Sequence, residues 1–159
     1  VYAELTGYGT TIDGHHMTAP HPDGSRAAAA MKQALHSAGL KPEQVDYVNA
    51  HGSSTVLNDP TECKAIHMAL GDHAKTIPVS GTKGLHAHAL GATGAMETAI
   101  CALSLQRGYL PGTGNLREKD PACDLDVIPP AGRNQQVTHL LTNAFGFGGI
   151  NACLAMRAV

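Results

Sequence analysis

The sequence predicts an α/β fold, a mixed sheet flanked by helices, and three observations carry that expectation. Strand-like and helix-like segments alternate from residue 1 to residue 107, the pattern of helices packed on a partly parallel sheet. The first two helical segments stop at Gly39 and Gly71, each followed shortly by a strand-like run. Two further runs, VTHLLTNA (137–144) and INACLAMRA (150–158), stand side by side across the link FGFGG and read as adjacent closing strands.

The elements follow in order. Residues 1–12 alternate loosely through Val1, Ala3 and Leu5, and their threonines suit a strand. GHHMTAPHPDGS (14–25) is punctuated by Gly14, Pro20, Pro22 and Gly24, and reads as a long loop carrying His15, His16 and His21. Ser25 is placed to cap the helix that follows, with an apolar stripe of Ala29, Met31, Ala34 and Leu35. VDYVNA (45–50) is a strand that stops at His51-Gly52. Asp59 before Pro60 predicts an N-cap and a first-turn proline for a helix over about 60–70, with Glu62 in the first turn. Ile77, Pro78 and Val79 make a short strand. GATGAMETAICALSLQR (91–107) is apolar on nearly every side, which predicts a central buried helix; Glu97 within it requires a partner. Residues 108–136 carry Pro111, Pro121, Pro129 and Pro130 and read as irregular, apart from a short strand at 125–128. No internal repeat divides the chain, which leaves open that it is itself half of a duplicated protein.

Bulk properties narrow the function classes. A chain of 159 residues, 43% hydrophobic, suits one globular domain. A net charge of -2 gives no electrostatic reason to expect nucleic acid or an anionic membrane as partner. No run approaches the roughly eighteen apolar residues of a membrane span. The start, VYAELTGYG, has neither the basic region nor the apolar core of a signal peptide. The expected location is therefore cytoplasmic. Beginning at Val1, the chain reads as a processed product or a fragment. Cys63, Cys101, Cys123 and Cys153 match no CxxC spacing and are expected to be free, buried thiols.

Three stretches carry candidate chemistry. In VNAHGSSTVLND, His51 follows the end of a strand, where open α/β sheets place ligands. Ser53, Ser54 and Thr55 either bind a polar chain there or form a hydroxyl-rich turn. In GTKGLHAHALGATG, His86 and His88 share a face on a strand, where a metal can use both, but diverge on a helix or tight turn. No HExxH pattern supplies a third ligand, so a metal is disfavoured. Lys83 either holds an anion or pairs with Glu97. In NAFGFGGINA, backbone N–H groups offer an oxyanion hole, or the segment is a glycine-rich hairpin with core phenylalanines. A nucleophile is expected on an exposed turn or at a helix N-terminus, and no cysteine fits well: Cys63 and Cys101 lie within helices, Cys153 lies mid-strand, and Cys123 lies in a loop without glycines or a nearby histidine.

Together these three stretches resemble the C-terminal half of the β-ketoacyl-acyl carrier protein synthases, the condensing enzymes of fatty acid and polyketide synthesis. VDYVNAHGSSTVLND is similar to the family's HGT-x-T segment, GTKGLHAHALGATGAMETAI to its K-x-x-x-GH-x-x-G-A-x-G segment, and NAFGFGGINA to its N-x-F-G-F-G-G-x-N loop. The resemblance covers essentially all of residues 1–159, as one ketosynthase C-terminal domain. It implies half of a thiolase-like αβαβα fold, dimeric when complete, and a Cys-His-His site whose cysteine lies in the N-terminal half. It further implies His51 and His88 as catalytic histidines, with Lys83 as the family lysine and Glu97 as its acidic partner. Ser53 and Thr55 would bind the phosphopantetheine arm of acyl carrier protein. Phe147 would be the gatekeeper that also lends an N–H to the acyl oxyanion hole. The implied reaction is decarboxylative condensation of an acyl thioester with malonyl-acyl carrier protein. The implied partners are acyl carrier protein and the N-terminal half, and the chain itself would bind no cofactor or metal.

Two residues depart from the pattern. Ala87 stands where the family usually has Gly, and His86 where Thr or a small residue is common. A positive φ at 87 would strain alanine. The rival readings are a non-catalytic chain-length partner of a ketosynthase, a thiolase-type acyl-CoA acyltransferase, and a metal-dependent hydrolase using His86 and His88.

Overall fold

A computed structural model describes residues 1–159. The chain forms strands β1 (Glu4–Ile12), β2 (Tyr47–Asn49), β3 (Pro78–Ser80), β4 (Tyr109–Leu110), β5 (Asp126–Val127), β6 (Arg133–Asn134), β7 (His139–Gly146) and β8 (Ile150–Arg157). Its helices are α1 (Ser25–Ala38), α2 (Asn58–Leu70), the single turn α3 (Lys83–His86) and α4 (Thr93–Arg107). Six strands make one mixed sheet in the order β1-β8-β7-β2-β3-β5, and β4 with β6 makes a small antiparallel ribbon. β7, β2, β3 and β5 run parallel, while β8 is antiparallel to both β7 and β1. The predicted closing strands pair from His139↔Arg157 to Gly146↔Ile150.

Alternation along the strands feeds two cores. Val48, Leu141, Cys153 and Ala155 face one side and pack with Met31, Leu35 and Ile66 from α1 and α2. Tyr47, Leu140 and Met156 face the other and pack with Cys101 and Leu105 of α4. On the first side α1 lies almost against the backbone of β1. A Cβ at Gly7 would fall 2.2 Å from the Ala34 carbonyl oxygen, and one at Gly9 would fall 2.0 Å from that of Ala30. Those two glycines therefore set the helix–strand distance.

Local expectations are corrected in several places. Ser25 is the first residue of α1 rather than its cap. Gly24 precedes it in a left-handed conformation, and Asp23 accepts the Ser25 N–H at 2.8 Å. The buried stripe of α1 runs through Ala27, Ala28, Ala30, Met31, Ala34 and Leu35, while Ala29 is half-buried. Helix α2 begins at Asn58, before Asp59. Its first N–H is taken by the Thr55 hydroxyl at 3.2 Å, and Asp59 turns back to the Ser54 N–H at 3.1 Å.

The largest correction concerns α4, which is covered on one side only. Thr93, Glu97, Cys101, Ser104 and Leu105 are buried, whereas Ala95, Ala99 and Leu103 are exposed. Composition alone could not choose which apolar face of this helix meets the sheet. The sheet beside it is also bare. Tyr8 pairs with Leu154 and Ile12 with Ile150 on the α4 side, and Leu5, Tyr8, Ile12 and Ile150 are all exposed. No helix of the chain is long and apolar enough to cross a membrane.

Candidate active site

Because β2, β3 and β7 are parallel, their carboxyl ends open at the same edge of the sheet. The segments that follow them carry His51, residues 81–93, and Phe147. An edge of this kind is where open α/β sheets bind ligands.

His51 is buried, 6% exposed, and its backbone and ring are held from three directions. Its N–H and that of Gly52 donate to the two carboxylate oxygens of Glu62, at 2.8 and 2.9 Å. Its carbonyl accepts the Lys83 ammonium at 2.5 Å. The Phe145 N–H donates to its Nδ1 at 3.3 Å. An accepting Nδ1 requires the neutral tautomer with hydrogen on Nε2. Burial, followed by the charge of Lys83, lowers the pKa of His51 to about 3 from its ordinary 6.5. The stability gained by keeping this ring neutral is complete above pH 6.5 and is lost as pH falls towards about 3.

His88 is exposed and approaches the His51 ring from the other loop. The two rings meet edge to face, with centroids 5.5 Å apart. His88 Nδ1 accepts the Leu90 N–H at 3.2 Å and lies 3.0 Å from the Thr93 hydroxyl. It too is therefore the Nε2–H tautomer. Burial is the first cause lowering its pKa, with Lys83 adding to it.

Lys83, at the start of α3, is buried with its ammonium 2.6 Å from Glu97 Oε1. Glu97 is 0% exposed, and burial raises its carboxyl while Lys83 opposes the rise. The pair locks the two loops together, since Lys83 binds His51 from one side and α4 from the other.

His86 and His88 diverge across Ala87. His86 Nε2 turns inward to the Thr82 hydroxyl at 3.1 Å, while His88 turns out to His51. The pairing of these two histidines on a metal, one of the rival readings, is therefore not what the fold makes. Ala87 has φ 63 and ψ 176, a region of backbone that is nearly glycine-only and costs about 1–3 kcal/mol for other residues. Ala87→Gly is expected to stabilise the protein by about 1 kcal/mol, after allowing for the extra freedom glycine gains when unfolded. Urea unfolding of the two forms measures this; an unchanged or lower midpoint would mean residue 87 is unstrained.

Ser53 and Thr55 lie on the turn just outside His51, with their hydroxyls 3.1 Å apart. Phe147 is 77% exposed in the β7–β8 turn, which is tied to the 14–25 loop by the Gly148 N–H on the Met17 carbonyl at 2.7 Å. All four cysteines are free and buried. Burial pushes the Cys101 thiol up to about 12 and raises the other three. None is a poised thiolate.

Several residues that shape the site were not picked out from sequence. Glu62 is the chief one. Beyond the His51 and Gly52 amides, its carboxylate accepts Asn143 Nδ2 at 3.0 Å and Asn58 Nδ2 at 3.3 Å. Burial raises its pKa, and the N–H donors of Gly52, Asn143 and His51 work against the rise. Its spacing was a usable signal, because Glu62, Ala65, Ile66 and Ala69 form one buried stripe of α2. Phe145 and Thr93 gave no such signal, since their parts depend on a backbone N–H and on a loop crossing.

Comparison with known proteins gives the family. The family described as β-ketoacyl synthase, C-terminal domain, matches residues 2–117. Over all 159 residues the chain is 44% identical to 3-oxoacyl-[acyl-carrier-protein] synthase 2 of Coxiella burnetii, covering 38% of that protein. It is 45% identical to nodulation protein E of Rhizobium meliloti, covering 100% of this chain and 39% of that one. A solved complex of a type II PKS acyl-carrier protein with its ketosynthase bound to the hexaketide contains a similar chain. It superposes with a TM-score of 0.96 at 40% identity, over 99% of this chain and 39% of that one. The chain thus spans less than two fifths of the length of these relatives.

Proposed function

The chain belongs to the β-ketoacyl synthase family, whose C-terminal domain it matches, and from that premise we propose that the full-length protein is a 3-oxoacyl-acyl carrier protein synthase. The observation that carries the reading is the pair of neutral histidines, His51 and His88, each with Nδ1 occupied as an acceptor and Nε2–H left to donate. Two N–H donors on rings whose centroids lie 5.5 Å apart suit an oxygen that gains negative charge.

The chemistry follows from that geometry. A cysteine thiolate from the rest of the protein attacks an acyl thioester, taking the acyl group and releasing the carrier thiol. Malonyl thioester then enters with its carbonyl oxygen between the two Nε2–H groups. Breakage of the bond to the carboxylate releases carbon dioxide and leaves its electron pair as an enolate. The two donors hold the enolate oxygen. The enolate carbon attacks the acyl-cysteine carbonyl, and collapse of that adduct expels the thiolate and leaves the 3-oxoacyl thioester. Ser53 and Thr55 bind the phosphopantetheine arm, and Phe147 separates the two loading steps and lends its N–H to the acyl oxyanion. Lys83 and Glu97 fix both histidine loops.

Acyl carrier protein is the proposed substrate carrier and partner, the complete enzyme a homodimer, and its setting the cytoplasm. The bare side of α4 and of β1–β8 supports a second half packed there, as a five-layered fold requires, and the four inert thiols support a nucleophile supplied by it.

The test is condensation of acyl- and malonyl-acyl carrier protein by the full-length protein and by this chain alone. Product is expected from the first and none from the second. Condensation by the chain alone would overturn the shared site. A full-length protein with a residue other than cysteine at the nucleophile position, and no condensation, would make it a non-catalytic chain-length partner.

A further inference from the structure

His86 is not absorbed by the proposed mechanism, yet it is nearly buried beside its most sensitive part. Its side chain is 14% exposed and its Nε2 lies 4.0 Å from Glu97 Oε1. The same nitrogen is 3.1 Å from the Thr82 hydroxyl. Thr82 is fully buried, and its hydroxyl has the Asn49 side-chain oxygen within donating reach at 3.5 Å. Asn49 in turn donates to Thr142 at 3.2 Å, so its oxygen is free to accept. With the Thr82 hydrogen used in that direction, the hydroxyl presents a lone pair to His86. The imidazole must then donate from Nε2, and its Nδ1 is bare. Nδ1 is indeed buried with no partner, an arrangement a neutral Nε2–H ring tolerates and a protonated ring does not.

We propose that His86 is a positioning residue, donating through Nε2–H to Thr82 and so bracing the loop that carries Lys83 on one side and His88 on the other. The inference rests on the proposed function for what is positioned, but the anchoring itself is independent of it. Two routes lead from His86 to the site. Through Thr82, Lys83 and Glu97 it supports the Lys83 ammonium, which holds the His51 carbonyl at 2.5 Å and Glu97 at 2.6 Å. Through the backbone it fixes one flank of Ala87, whose conformation at φ 63 sends His88 to the opposite side. Losing the anchor lets Ala87 relax from a costly conformation. His88 then drifts, and a donor misplaced by about 1 Å loses much of its effect.

The donor, not the bulk, is what the proposal requires. Gln places a terminal N–H near the position of Nε2, whereas Leu fills the space without one. In the full-length enzyme, His86→Leu is expected to lower kcat for malonyl decarboxylation about tenfold with KM little changed, and His86→Gln to retain most of the activity. Histidine ¹⁵N NMR of the unaltered full-length enzyme is expected to show His86 neutral and protonated on Nε2. That measurement decides the matter if the leucine variant fails to fold. An Nδ1–H tautomer, a leucine variant as active as the parent, or a glutamine variant as damaged as leucine would each overturn the proposal. A parent protein inactive on malonyl thioesters would instead remove the proposed function. An active parent with an unaffected His86→Leu removes only this inference.

Discussion

His88→Ala in the full-length protein is expected to lower malonyl decarboxylation by about 10²–10³-fold, the usual cost of deleting one oxyanion donor. The loss should fall on kcat, because the donor meets an oxygen that becomes fully charged only as the carboxylate leaves. The ring is exposed and makes few contacts, so the variant should fold normally and bind malonyl thioester with nearly unchanged KM. Acyl transfer to the cysteine, which does not use this donor, should be affected much less. The pH profile provides a second reading of the same idea. Protonating His51 or His88 on Nδ1 would set a new N–H against the N–H of Phe145 or Leu90. Burial first, and then the charge of Lys83, holds both rings below their ordinary range. Decarboxylation should therefore show no acid limb at pH 6.5 from His51, whose pKa lies at about 3. Unchanged decarboxylation in His88→Ala would remove His88 from the mechanism.

What was legible in the sequence follows from which interactions are local. Strands β7 and β8 and the stop signals Gly39 and Gly71 depend on residues a few positions apart, and the structure keeps them. The contact between Lys83 and Glu97 was legible for a different reason. A buried carboxylate in an apolar helix is too expensive to stand alone, and a lysine stood nearby in sequence. Glu62 carried the same kind of signal, but a helix predicted to start at residue 60 put it in the first turn, where a charge at a helix start explained it more easily; α2 starts at Asn58 and places it one turn further in. Its true partners, His51, Gly52 and Asn143, lie up to 81 residues away. The tautomers of His51 and His88 were illegible in principle, since backbone N–H groups of Phe145 and Leu90 set them. The open face of α4 was illegible because sequence counts apolar residues without showing what lies against each face. Ala87 lies between these cases: its departure from glycine was visible, and its φ of 63 makes that departure a strain.

Lys83→Met is expected to be the most damaging single change for stability, and to be so in a pH-dependent way. In the native protein Glu97 Oε1 has the lysine ammonium at 2.6 Å, and its Oε2 has no partner. Removing the lysine leaves a carboxylate that is 0% exposed without its cation. Breaking a buried pair from one side costs about 3–5 kcal/mol. The carboxyl answers by holding its proton, because burial already raises its pKa and the opposing effect of Lys83 is gone. A carboxyl raised in the folded state binds its proton more tightly than in the unfolded chain, so the variant loses stability as pH rises above the unfolded value of 4.5. Urea unfolding of the full-length variant should thus show a large deficit at pH 8 and a smaller one near pH 5. Adding Glu97→Leu should restore much of the loss at high pH, because no charge then remains to be buried, but should not restore activity. In the proposed mechanism activity needs the lysine for another reason: its ammonium also holds the His51 carbonyl, so the loop carrying one histidine donor is freed even when the fold is rescued. A stability deficit independent of pH would show that Lys83 acts through packing of its stem, and a double variant with normal decarboxylation would separate the ion pair from the positioning of His51.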